Sequence, residues 1–142
     1  MKMKINKFEG FTLVELIIVM VLLGILAAVA VPKIGSTISS SEEATEDAVI
    51  AALQAAVEMY AMDKVVANSV KSYPENPFNE LDKTPVGYSG VGSLNDVDGE
   101  WVFYDANDDN IPNYVAHRRN DNNKYKWDYN DTDGTFGVRV AY

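Results

Sequence analysis

Four places in this chain carry side chains with chemistry to offer. Glu15 sits one turn into an apolar run, where a lone carboxylate costs about 2.5–3.5 kcal/mol at membrane depth. A place near a helix N-terminus lowers that cost without removing it. Asp105, Asn107 and Asp109 alternate oxygen side chains as a calcium loop does, with Asn110 at the turn. The Ile111 carbonyl and the Asn113 side chain would complete the set. A bidentate glutamate twelve positions along would make an EF-hand, but that position is Ala116, so such a loop is excluded. The same cluster also reads as a solvated turn between strands, where Asn and Asp are common. A second loop holds Asp128, Asn130, Asp131 and Asp133, and is a turn, a separate ion site or a contributor to the first. His117-Arg118-Arg119, the one basic cluster, suits a solvated strand end, contact with phosphates or, more naturally on so acidic a chain, an acidic neighbouring subunit.

What is missing narrows the chemistry further. The chain has no cysteine, so disulfides, thiolate zinc sites and a Cys nucleophile are excluded together. One histidine leaves little for an acid–base relay. No Ser–His–Asp order, phosphate-binding glycine loop or paired catalytic carboxylate stands out, and no enzyme is expected. With 12 basic against 21 acidic residues the net charge is −9, and phosphate binding needs the opposite sign.

These groups are distributed over a sharply divided chain of 142 residues. Residues 1–10 carry Lys2, Lys4 and Lys7 against Glu9 alone, a basic head before the apolar run. From Leu16 to Val31 there is no polar side chain. A helix from Phe11 to Val31 would be roughly 31 Å long, close to one hydrocarbon core. The lysines should hold its start in the cytoplasm, which exports the body. A secretory signal is the alternative, but the stretch is long for one and no small-x-small cleavage site follows. Gly24 and Pro32 weaken this helix, since proline removes a backbone hydrogen bond.

After Pro32 the pattern turns amphipathic, with Val49, Leu53, Ala56 and Tyr60 on one stripe. The spacing predicts one helix continuing through Ser36–Ser41 to about Val66; a capping box of Ser40 and Glu43 starting a second helix is the alternative. Tyr73-Pro74-Glu75-Asn76-Pro77-Phe78-Asn79 cannot be helical. Short strands are expected at Trp101–Tyr104, Tyr114–Ala116, Tyr125–Trp127 and Phe136–Val140, joined as hairpins, with Asp96, Asp98 and Gly99 in a hairpin turn. The fold expected is α+β: a long N-terminal helix, its first half membrane-spanning, packed on a small antiparallel sheet. Its parts are the leader 1–10, the membrane helix 11–32 and the exported body 33–142.

Gly10-Phe11-Thr12-Leu13-Val14-Glu15-Leu16, with its basic leader and apolar run, resembles the prepilin processing site of type IV pilins and type II secretion pseudopilins. The resemblance covers roughly residues 7–60. Glu9 departs from the basic residue many members carry there, although Lys7 is close by. The resemblance implies that a prepilin peptidase cuts between Gly10 and Phe11, and that Phe11 becomes an N-methylated terminus. Cutting leaves 9 basic against 20 acidic side chains, a net −11. It implies that Glu15 pairs with the Phe11 amine of a neighbouring subunit, offsetting the desolvation of both. It implies too that Gly24 to Pro32 bounds a stretch that melts in the filament. The Tyr-Pro and Asn-Pro-Phe turns are also similar to those that follow the long helix in this family.

The 105–113 segment resembles the Asp-rich, Ile-Pro-containing calcium repeats of extracellular proteins. Major pseudopilins commonly hold calcium in a C-terminal loop, which makes the 128–133 loop a reserve site. The function implied is a structural subunit, a major pilin polymerising into a type IV pilus. The alternatives are a major pseudopilin of a type II secretion system, then a minor pilin. The partners implied are further copies of the chain, the peptidase, an inner-membrane assembly platform and, before assembly, lipid. The place implied is a single-pass inner-membrane protein with a cytoplasmic N-terminus, then a surface filament, or a periplasmic one for a pseudopilin.

Overall fold

A computed structural model describes residues 10–92, 95–106 and 112–142. One helix, α1, runs Leu13–Asn68, 56 residues without a break. The serine run does not interrupt it, because the hydroxyls of Ser36, Thr37 and Ser40 donate to carbonyls one turn back within the helix. Ser40 therefore starts no second helix. The described residues group into two compact units, one ending at Ser41 and one beginning at Glu42.

The first unit is helical from Leu13, and its apolar side chains are exposed. Its apolar window is long and oily enough to cross a membrane, and no part of that window is buried. A helix apolar all round needs hydrocarbon or other helices around it. Pro32 lies inside α1, where it has no N–H to give the Ala28 carbonyl.

The second unit packs residues 42–68 of α1 on a six-stranded sheet. Its strands are β1 Tyr88–Val91, β2 Trp101–Tyr104, β3 Asn113–Arg118, β4 Lys124–Asn130, β5 Thr135–Phe136 and β6 Val140–Ala141. The order is β1-β2-β3-β4-β5, with β6 also on β4. Alternation puts Trp101, Phe103, Val115, Trp127 and Tyr129 on the face that meets Leu53 and Val57. Phe78 closes this core from a 3-10 turn, Pro77–Glu80, capped by the Asn76 side chain accepting from Phe78 N–H at 3.0 Å.

Four expectations are corrected. The sheet is mixed rather than antiparallel, because β1 pairs with β2 in parallel. The Asp96–Gly99 turn therefore closes a crossover connection and not a hairpin; Gly99, at φ +76°, donates to the Arg118 carbonyl. The expected strand at 136–140 is split into β5 and β6, which pair with opposite ends of β4. The buried stripe of α1 is Glu46, Leu53, Val57 and Ala61, about one residue round from the expected one, with Ala56 and Tyr60 only half-buried.

Candidate functional site

The segment expected to be processed begins at Gly10 and Phe11, both exposed. Thr12 and Glu15 then form a reciprocal cap on α1. Glu15 Oε2 accepts from Thr12 N–H and from its hydroxyl, each at 2.8 Å, while Thr12 Oγ1 accepts from Glu15 N–H at 3.2 Å. This is the Thr-x-x-Glu capping box, which satisfies two helix-end donors. The carboxylate thus has donors of its own within one chain. Gly24 and Pro32 lie further along the same unbroken helix.

The described ends of the 105–113 segment and the second oxygen-rich loop meet at one end of the sheet. Asn107, Asp109 and Ile111 lie outside the described residues. Asp105 and Asn113 are described, and Asn113 Oδ1 accepts from Ala106 N–H at 2.9 Å, clasping the base of the connection. Glu75, Asp105, Asn113, Asp128, Asn130 and Asp131 line one open cavity of about 580 Å³. Such hard oxygen donors suit calcium. Among the described residues no three His, Cys, Asp or Glu side chains converge closely enough to hold an ion. Asp128 Oδ1 lies 3.3 Å from Lys126 Nζ, an ion pair without hydrogen-bond alignment. In the second loop, Asn130 Oδ1 accepts from Thr132 N–H at 2.9 Å. Asp133 Oδ1 accepts from the N–H and hydroxyl of Thr135. Both oxygens are thus engaged in closing the β4–β5 turn.

Two members of the basic cluster turn inward instead of standing as a solvated strand end: His117 and Arg119 meet Glu46, a wholly buried residue of α1. Arg119 Nε and Nη2 donate to the two Glu46 oxygens at 2.8 and 2.7 Å, and His117 Nδ1 lies 2.8 Å from Oε1. A carboxylate can only accept, so His117 carries its proton on Nδ1. Arg139 Nε reaches Oε2 at 3.1 Å, again as an ion pair outside hydrogen-bond alignment. Burial alone would raise the Glu46 pKa; the hydrogen bonds and charges of Arg119 and His117 outweigh it and hold the group at about 2. The bond to Glu46 in turn raises Arg119 above its usual range. Arg118 points elsewhere, to Asp98 and Asn122. Thr12 and Glu46 are the residues that sequence reasoning missed. The Thr12–Glu15 spacing was a usable signal; Glu46 had none beyond the stripe it shares with Leu53.

Comparisons with known proteins find one motif and three relatives. Residues 5–31 match the prokaryotic N-terminal methylation motif. The chain is 42% identical over 85 residues to the type IV narrow pilus major component PilA5 of Thermus thermophilus, covering 60% of this chain and 66% of that one. It is 37% identical over 79 residues to the type II secretion system core protein G of Pseudomonas aeruginosa, covering 56% and 53%. Core protein G of Vibrio cholerae is 38% identical over 63 residues, covering 44% and 43%. The matches thus span about half the length of these curated relatives. No solved structure is a significant match. A methylation motif on an exposed apolar helix, followed by a helix-on-sheet unit, places the chain in the family of type IV pilins and type II secretion pseudopilins.

Proposed function

We propose that this chain is a non-enzymatic structural subunit that polymerises into a type IV pilus, as its major pilin. The observation that carries the reading is the exposed, capped apolar helix inside the methylation motif. A helix with no buried face must gain one, and copies of the same helix offer it once the subunit leaves lipid. On this reading a prepilin peptidase cuts between Gly10 and Phe11, and Phe11 is N-methylated. Before assembly the subunit spans the inner membrane once, handled there by an assembly platform. Glu15 then transfers from its own cap to the Phe11 amine of a neighbour. Residues 33–142 face outward, and Gly24 to Pro32 supplies the length the packed helix needs. The acidic cavity and the 105–113 segment together bind calcium.

Mass spectrometry of sheared surface filaments tests the processing step: the subunit should begin at N-methylated Phe11, and an intact Met1 would reject it. Glu15→Ala should insert in the membrane normally but enter filaments poorly. Wild-type filament yield from that variant would remove Glu15 from assembly. A second reading, a major pseudopilin of a periplasmic filament, is favoured by the two relatives named core protein G. Immunogold labelling of whole cells separates the two, since only a pilin labels long surface filaments.

A further inference from the structure

Among the chain's asparagines, only Asn130 is followed by x-Thr or x-Ser, in Asn130-Asp131-Thr132, with no proline between. That triplet is the acceptor pattern for N-linked glycans, and it has meaning only on an accessible, exported surface. The accessibility can be read here; the export comes from the proposed function. Asn130 is the last residue of β4, and Asn130, Asp131 and Thr132 are all exposed. The triplet opens the turn into β5, closed by the Asn130–Thr135 pair and by Gly134 N–H donating to the Asn130 carbonyl at 2.8 Å. Asp128 lies two residues earlier on the same strand face, so the whole pattern is Asp-x-Asn-x-Thr.

The local geometry also prepares the amide. Asn130 Oδ1 accepts from Thr132 N–H at 2.9 Å, folding the side chain back over its own triplet. A donor on the carboxamide oxygen makes the Nδ2–H more acidic. The nitrogen, a poor nucleophile while protonated, can attack once a base has taken that proton.

We propose that Asn130 is an acceptor for an N-linked oligosaccharide. The donor is a polyprenyl-pyrophosphate-linked oligosaccharide, used by a membrane oligosaccharyltransferase. Nδ2 forms a bond to the anomeric carbon, and the bond from that carbon to the phosphate oxygen breaks. The lipid pyrophosphate leaves with the electron pair, and the amide proton passes to a carboxylate base of the transferase. No oxidant or reductant is required. The glycan would stand on the outer rim of the exported body, at the turn beside the acidic cavity, and would cover that turn with neutral, hydrated surface. The proposal rests on the exported orientation of residues 33–142.

Intact-mass spectrometry of the protein purified from its own cells tests it, because one spectrum reports leader removal and glycan together. The expected species lacks residues 1–10 and carries one oligosaccharide increment. Asn130→Gln and Thr132→Ala should each lose the increment, and Thr132→Ser should keep it. Processed protein without an increment overturns the glycan and leaves the pilin reading intact. Full-length protein without an increment overturns both. An increment that survives Asn130→Gln sits on another residue and likewise overturns this assignment.

Discussion

Glu46 is the side chain on which helix and sheet most depend electrostatically. It is wholly buried among Arg119, His117 and Arg139, and Trp101 stacks on the His117 ring at 4.4 Å. Removing one partner of a buried ion cluster costs about 3–5 kcal/mol, because the others stay buried and uncompensated. Glu46→Gln should therefore unfold at much lower denaturant, followed by the fluorescence of Trp101 and Trp127. The pH dependence has a definite sign. The folded pKa, about 2, lies below the ordinary 4.5, so the carboxylate stabilises the fold fully above pH 4.5 and loses that contribution as pH falls towards 2. The wild type should lose on the order of 3 kcal/mol more than Glu46→Gln across that window. Parallel acid limbs in the two proteins would show that Glu46 is not the titrating group. Nothing local announces this residue. Glu42, Glu43 and Asp47 beside it face Asn120 and Arg139 at the exposed rim, and all four acids look alike in the sequence. Only the register of β3, 73 residues away, brings Arg119 to the right one.

At the scale of elements, local signals were read well and non-local pairings poorly. The apolar run, the turn at Asn76-Pro77 and strand β2 are written in neighbouring residues, and each appears where those residues put it. Strand β1, Tyr-Ser-Gly-Val, is short and contains Gly90; its parallel partner is fixed by a crossover that no local pattern encodes. Arg139 explains the break between β5 and β6, since it lies over Trp127 and reaches Glu43, Glu46 and Asp47 on the helix. The β4–β5 turn is held to the helix by Gln54, which donates to the Gly134 carbonyl at 3.1 Å. Gly134 sits at φ +72°, and a Cβ there would lie 2.3 Å from the Tyr73 ring. Gly134→Ala should cost at least the roughly 1–2 kcal/mol of a left-handed L-residue, plus the displacement of Tyr73. Pairing it with Tyr73→Ala should recover only the steric part, which a double-mutant cycle on thermal melts measures. Leu53→Ala, at the centre of the core, should cost about 2–5 kcal/mol by leaving a cavity against the sheet.

For the whole molecule the question is what holds a small helix-on-sheet unit together without a disulfide. The core of unit 42–142 is one layer of side chains between half a helix and six short strands. Carboxylates of Glu75, Asp105, Asp128 and Asp131 line one cavity in a chain already at −9. A divalent ion there would draw them together and bind only the folded arrangement. At 100 times its dissociation constant, free calcium would add about 2.7 kcal/mol. For a body of about 100 residues this is on the order of 10 °C in Tm. The measurement is a melt of the full chain in detergent micelles, with millimolar calcium, with chelator, and with sodium chloride at matched ionic strength. Calcium alone should raise the midpoint, and Asp105→Ala with Asp109→Ala should abolish the rise. A rise that survives that pair would assign the ion to Asp128, Asn130, Asp131 and Asp133. Equal midpoints in calcium and chelator would leave both loops as solvated turns, with Asn113 and Asn130 holding them closed by their own hydrogen bonds.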